Sequence, residues 1–167
     1  DGLLRELETR MTPEASARGV RLFVLRLGEA PDAVFADTAR LTKMLLHLLG
    51  NAVKYAAKDG AASLHLRGME DGGAVFTISD DGAGMSEGEI LIALELFGRL
   101  GGVENAANGA GVGLTLAQEI ARAHGAEFEI RSETGQGTVV TVAFPGSRSL
   151  PAPSQEPAAE RQSINAP

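Results

Sequence analysis

Four groups of residues have types and spacings suited to chemistry. The first is His47, Asn51, Lys54 and Lys58. At 100° per residue they share one stripe of a helix, opposite its leucines. Such a stripe also serves as a plain solvated face. Asn51, however, falls in mid-helix, where asparagine loses propensity. An amide oxygen aimed at a cation, with an ammonium one turn on, suits a metal–phosphate site. The second group is Ile78-Ser79-Asp80-Asp81-Gly82-Ala83-Gly84-Met85, a strand end running into a glycine turn. A carboxylate there can accept a hydrogen bond from a base amino group, and the two glycines let backbone approach a flat ligand. A tight turn with acidic decoration has the same letters.

The third group, Asn108-Gly109-Ala110-Gly111-Val112-Gly113-Leu114, leads glycines into a helix start. Free N–H groups and the helix dipole make that place attractive to anions. It lacks the GxGxxG spacing of a dinucleotide fold, and no Gly-Lys-Ser/Thr of a phosphate loop occurs. The fourth, Gly135-Gln136-Gly137-Thr138, enters a strand and by itself reads as a hairpin turn.

The elements that must position these groups follow from periodicity. Leu3, Leu4, Leu7 and Met11 predict a helix from Leu3 to about Ala17, closed by Gly19. Strands are expected over Val20–Leu27 and Ala33–Ala36, then a helix from the Asp37 cap to about Ala57 with Leu41, Met44, Leu45, Leu48 and Ala52 inward. Asp71-Gly72-Gly73 joins strands 62–69 and 74–79 into a hairpin. Ser86 and Glu89 form a capping box for a helix to about Leu96, and 98–109 reads as a loop. A helix over 113–124 and strands over 127–132 and 138–144 complete the domain. Helices between hairpins, without strict strand–helix alternation, indicate an α+β fold.

Composition narrows the function. The 167 residues fit one domain, and 44% hydrophobic content can bury a core. A net charge of −7 argues against nucleic acid or an anionic membrane as partner. No apolar run approaches the ~18–20 residues of a membrane span. Absent cysteine excludes disulfides, thiolate metal sites and thiol catalysis, and three scattered histidines argue against zinc. The chain begins with Asp1 instead of Met and reads as a fragment of a longer protein. From Pro145 onward, Pro, Ser, Ala, Gln and Glu without apolar periodicity predict a disordered tail over 146–167. Nine of the 21 glycines fall between Gly82 and Gly113, so the excess over the average of about 7% is local.

In combination and order, the four groups resemble the GHKL ATPase superfamily with its Bergerat ATP-binding fold. The match over residues 3 to 144 is most similar to the catalytic and ATP-binding domain of a bacterial sensor histidine kinase. His47-Leu48-Leu49-Gly50-Asn51-Ala52-Val53-Lys54-Tyr55 resembles the N box, Asp80–Gly84 the G1 box and Gly109–Leu114 the G2 box. Ala93-Leu94-Glu95-Leu96-Phe97 sits at the F box, and Phe97-Gly98-Arg99-Leu100 looks like the lid entrance of alphaproteobacterial kinases of the PleC and DivL kind.

The resemblance implies a two-layer α/β sandwich, a mixed sheet on about three helices with a flexible ATP lid. It implies residues 1–18 as a connecting helix from an absent dimerisation domain and 19–145 as the ATP-binding domain. Asn51 would ligate Mg²⁺, Lys54 contact the phosphates and Tyr55 pack against the nucleotide. Asp80 would accept the adenine amino hydrogen bond, supported by Thr138, beside the Gly82 and Gly84 turn. Gly109, Gly111, Gly113 and Leu114 would bring amides onto the phosphates, and Phe97 would anchor the lid. The implied activity is transfer of the γ-phosphate of ATP to a histidine on the upstream dimerisation domain. A response regulator is the next partner, the parent protein is a homodimer, and the domain is cytoplasmic whether or not the parent is membrane-anchored.

Three positions depart from the family pattern. His47 stands where Asn is usual, or Glu in the ATP-hydrolysing members, and takes a base or orienting role here. Leu94 replaces the first F-box Phe, and Arg99 is the sole cation between Gly98 and Asn108. None of the three histidines lies in a phosphoacceptor context. These departures keep open a catalytically weak regulatory module that docks a response regulator. An ATPase of the gyrase, MutL or Hsp90 type and an anti-sigma serine kinase share the pocket as further alternatives.

Overall fold

Leu4, Leu7, Met11 and Ala15 recur at helical spacing, and they are the residues that the first helix buries. In the computed structural model of the chain, residues 2–28, 30, 33–34, 36–94 and 113–150 are described. Helix α1 (Gly2–Arg18) ends at Gly19, whose φ of +68° is the left-handed stop that glycine supplies. Strand β1 (Arg21–Leu27), the short β2 (Ala33–Val34) and helix α2 (Thr38–Tyr55) follow. Then come the hairpin β3 (Ala61–Gly68) and β4 (Ala74–Asp80), helices α3 (Glu87–Leu94) and α4 (Gly113–Ala123), and the hairpin β5 (Glu127–Glu133) and β6 (Gly137–Phe144). A 3₁₀ turn at Gly146–Arg148 leads into β7 (Ser149–Leu150).

The five long strands form one sheet in the order β1-β3-β4-β6-β5, with β1 parallel to β3 and every other pair antiparallel. Alternation sends Leu64, Phe76, Ile78, Val140 and Val142 to one face, where they are buried with the leucines of α2. Helices α1, α2 and α4 contact that sheet, and α3 touches α4 and β5. The expected mixed-sheet sandwich is therefore present, with four described helices where about three were anticipated.

Two stretches bear on the expected domain bounds. Residues 1–18 are expected to lead in from a dimerisation domain, and in this fold Leu7 is fully buried and α1 packs on both β1 and α2 in the same core as the sheet. Leu7→Ala is expected to cost about 2–5 kcal/mol in urea unfolding, the range for a buried leucine. A helix that merely passes by would leave stability unchanged. Residues 146–150, expected as part of a disordered tail, form a 3₁₀ turn and a short strand. Asp71 accepts from the N–H of Gly73 and of Gly146, both at 2.9 Å, which ties the hairpin turn to the chain beyond Pro145. Residues 149–150 then pair antiparallel with β2. The rest of the tail, 151–167, lies outside the described residues.

Helix α2 also stops short of the expected Ala57, at Tyr55. The Asp81 carboxylate takes the N–H groups of Ala57 (3.1 Å) and Ala61 (2.9 Å) and turns the chain into β3. Lys58 consequently lies past the helix and exposed, off the stripe that His47, Asn51 and Lys54 share.

Candidate functional site

The sheet register builds the floor of the site. Asp80 pairs with Ala62 on one side and Thr138 on the other, and Thr138 pairs with Ser132. These four form a lateral row on the helix-facing side, one row beyond the buried Leu64, Ile78 and Val140 and the partly buried Ile130. Parity forces this: Asp80 follows Phe76 and Ile78 at period two, and Thr138 precedes Val140 and Val142. A carboxylate thus stands at the rim of an apolar core.

Asp80 accepts from the Gly82 N–H at 2.9 Å and from the Thr138 N–H. Burial pushes its carboxyl above the ordinary aspartate value; the two N–H donors partly offset this, and neighbouring Asp81 adds to the rise. Its partner hydroxyl, Thr138 Oγ1, lies 2.9 Å from Ser132 Oγ.

The glycines here answer to close approach of chain on chain. A Cβ on Gly82 would overlap the carbonyl oxygen of Tyr55, so the end of α2 rests directly on this turn. Gly84, at φ +66°, likewise lies against the Glu133 carbonyl. That contact brings the α2 stripe and the Asp80 row into one region.

At the other side, the start of α4 abuts α2. A Cβ on Gly113 would meet Asn51 Nδ2 at 3.8 Å and His47 Nδ1 at 3.9 Å. His47 and Asn51 are both half-buried against this helix end. Desolvation lowers the His47 pKa and the charge of Lys43 lowers it further, so its imidazole is neutral at pH 7. Lys54 Nζ sits 4.9 Å from the centre of the Tyr55 ring, which is exposed. Leu114 packs on the core, so within the site α4 contributes backbone. Helix α4 is fixed in turn by Thr115 Oγ1, which donates to the Leu94 carbonyl at 3.1 Å, and by His124. The His124 ring contacts the Ile120 carbonyl at 2.7 Å and accepts the Asp37 N–H, binding the end of α4 to the start of α2. His124 is therefore a satisfied core histidine.

The structure accordingly brings together His47, Asn51, Lys54, Tyr55, Asp80, Gly82, Gly84, Gly113 and Thr138. Phe97, Gly109 and Gly111 lie outside the described residues. Ser132 and Asp81 were not anticipated. Parity places Ser132 on the inner face with Ile130, but nothing in the sequence shows that it meets Thr138. Among the described residues no group of three or more acidic or histidine side chains could hold a metal. Asn51 offers one amide oxygen, a donor set that fits magnesium sharing its shell with phosphates and water.

The described helices include none long and apolar enough to cross a membrane. Residues 36–148 match the family described as histidine kinase-, DNA gyrase B- and HSP90-like ATPases. A curated relative, the cell-division control histidine kinase PdhS of Brucella anthropi, is 33% identical over 84% of this chain. The chain spans only 14% of that protein's length. Full-length ShkA, solved in complex with AMPPNP, superposes with a TM-score of 0.75 at 28% identity, covering 90% of this chain and 30% of ShkA. The mycobacterial sensor histidine kinase MprB shares the fold, with a TM-score of 0.73 at 23% identity over 89% of this chain and 95% of the solved one. The chain belongs to the histidine kinase-, DNA gyrase B- and HSP90-like ATPase family.

Proposed function

We propose that this domain binds Mg-ATP and presents its γ-phosphate to a histidine on a dimerisation domain of the same protein. The observation that carries the reading is Asp80 in a row with Thr138 at the core rim, with Asn51 and the α4 start facing the same region. The AMPPNP bound to ShkA and the kinase relatives support it.

The residues divide the work by position. Asp80 accepts a hydrogen bond from the adenine amino group, its carboxylate held by the Gly82 and Thr138 amides. Tyr55 offers an exposed ring beside the nucleotide, and Lys54 an ammonium to the phosphates. Asn51 supplies an oxygen to Mg²⁺, which when bound neutralises phosphate charge. The start of α4, at Gly113 and Leu114, places a helix N-terminus and its positive dipole end where the phosphates would lie. Phe97, Gly109 and Gly111 take the lid roles that the family resemblance gives them. A protein of charge −7 attracts a polyanion only through such local donors.

The transfer forms a P–N bond to the acceptor imidazole and breaks the bond to ADP, a reaction governed by positioning and charge neutralisation. Neutral His47 can accept the acceptor's N–H and orient it. The whole protein is then a cytoplasmic-facing homodimeric kinase, anchored or free, that passes the phosphoryl group to a response regulator.

Two measurements test this. Titration of the chain with Mg-ATP by calorimetry should give binding. Adding the upstream helical domain and γ-labelled ATP should label that domain. No binding overturns the proposal. Binding without transfer leaves the regulatory alternative, in which nucleotide gates the docking of a response regulator.

A further inference from the structure

Ser132 has more polar neighbours than its single proton can serve. Its Oγ lies 2.8 Å from the Met85 nitrogen, 2.8 Å from the Gly137 carbonyl oxygen and 2.9 Å from Thr138 Oγ1. The Met85 N–H can only donate and the Gly137 carbonyl can only accept. The Ser132 proton therefore goes to Gly137, and its lone pairs receive Met85 and the Thr138 proton. This is the one assignment in which all three contacts are hydrogen bonds. Its consequence falls on Thr138, whose hydroxyl keeps only lone pairs for anything lying over the row.

Asp80 is the other polar side chain of that row, and an ionised carboxylate also only accepts. We infer that Ser132 is the positioning residue that turns Thr138 into a fixed acceptor. It thereby makes the base end of the site a pair of acceptors, selective for a purine with an exocyclic amino group over its 6-oxo analogue. The inference rests on the nucleotide reading above. An amino group offers two N–H donors to such a pair, and a carbonyl oxygen meets lone pairs instead. Sites built to hydrogen-bond a group reject ligands lacking it far more strongly than apolar pockets do.

The probes are Mg-ATP and Mg-ITP, which differ by amino against oxo at C6 and by an N1 that carries a proton only in ITP, titrated by calorimetry. Wild type should prefer ATP by at least roughly 100-fold. In Ser132→Ala the Thr138 hydroxyl is released to donate, and the preference should narrow about tenfold, the size of one neutral hydrogen bond. Ser132→Thr, which keeps the hydroxyl, should restore it. In a Thr138→Val background, Ser132→Ala should leave the ratio unchanged, because the group it orients is gone. Thermal unfolding of each variant separates loss of fold from loss of selectivity. A Ser132→Ala protein that weakens both nucleotides equally overturns the inference and makes Ser132 only the anchor of the Met85 turn. A wild type that binds neither nucleotide overturns the nucleotide reading itself, and the two failures are told apart by the wild-type titration alone.

Discussion

Asp80→Asn is expected to raise the Kd for Mg-ATP at least about 100-fold while leaving the fold within about 1 kcal/mol of wild type. The loss comes from replacing an acceptor-only group by an amide whose NH₂ faces another NH₂. The small change in stability has a separate cause. Asp80 is half-buried at the end of β4, and the partial loss of water raises its pKa in the folded protein. A raised folded pKa means that ionised Asp80 opposes folding at neutral pH, and that its contribution improves as pH falls through the raised value. The amide removes that cost but gives up one of the acceptors that now serve Gly82 and Thr138, and the two effects offset. Urea unfolding followed from pH 7 down toward the ordinary aspartate value should show wild type gaining on the variant as pH falls. A wild type that loses ground on acidification would place Asp80 in the opposite, ion-paired class. Calorimetry with the unfolding data in hand then assigns the lost affinity to the base contact.

This division of labour shows how much could be read from sequence. Parity in β4 and β6 can be read to place Asp80 and Thr138 inward, and helical spacing gave the shared stripe of His47 and Asn51. Both are local periods, and the structure keeps them. Lateral register is different. Ser132 and Thr138 pair across the β5–β6 turn, and Asp80 and Thr138 pair across two strands separated by more than fifty residues. Such pairing depends on turn geometry and on where each strand meets the core, neither of which a single strand's pattern contains. Ser132 therefore went unseen, although its own alternation with Ile130 was plain. Asp81 was missed for a related reason: its partners, Ala57 and Ala61, are backbone N–H groups, which every sequence has and no sequence marks. An amphipathic stripe shows that the early helix buries one face, not which core receives it. Composition likewise could not register that Asp71 tethers Gly146.

Gly84→Ala should be among the most damaging single-methyl changes in the described fold, costing about 2–5 kcal/mol and lowering Tm by roughly 10 °C. Two penalties combine. Gly84 has φ +66°, which an L-residue adopts only at a cost, and a Cβ there would overlap the Glu133 carbonyl oxygen. Backing away is blocked on both sides. Ala83 O accepts from Gly135 N, and Met85 N donates to Ser132 Oγ at 2.8 Å, so the turn is pinned to the β5–β6 turn before and after the glycine. Other glycines separate the terms. Gly135 has φ +83° with nothing within 4 Å of a new Cβ, so Gly135→Ala should cost only the backbone term, about 1–2 kcal/mol. Gly88 lies within α3 with open space around it and no positive φ. Gly88→Ala should therefore be neutral or stabilise by up to about 1 kcal/mol. The expected order of melting temperature is Gly88→Ala at or above wild type, then Gly135→Ala, then Gly84→Ala. If Gly84→Ala and Gly135→Ala melt together, the turn yields to the methyl group, and the overlap with Glu133 contributes nothing. If they separate as expected, the Ser132 and Gly135 hydrogen bonds hold the turn rigidly enough to define where a ligand at Asp80 must lie.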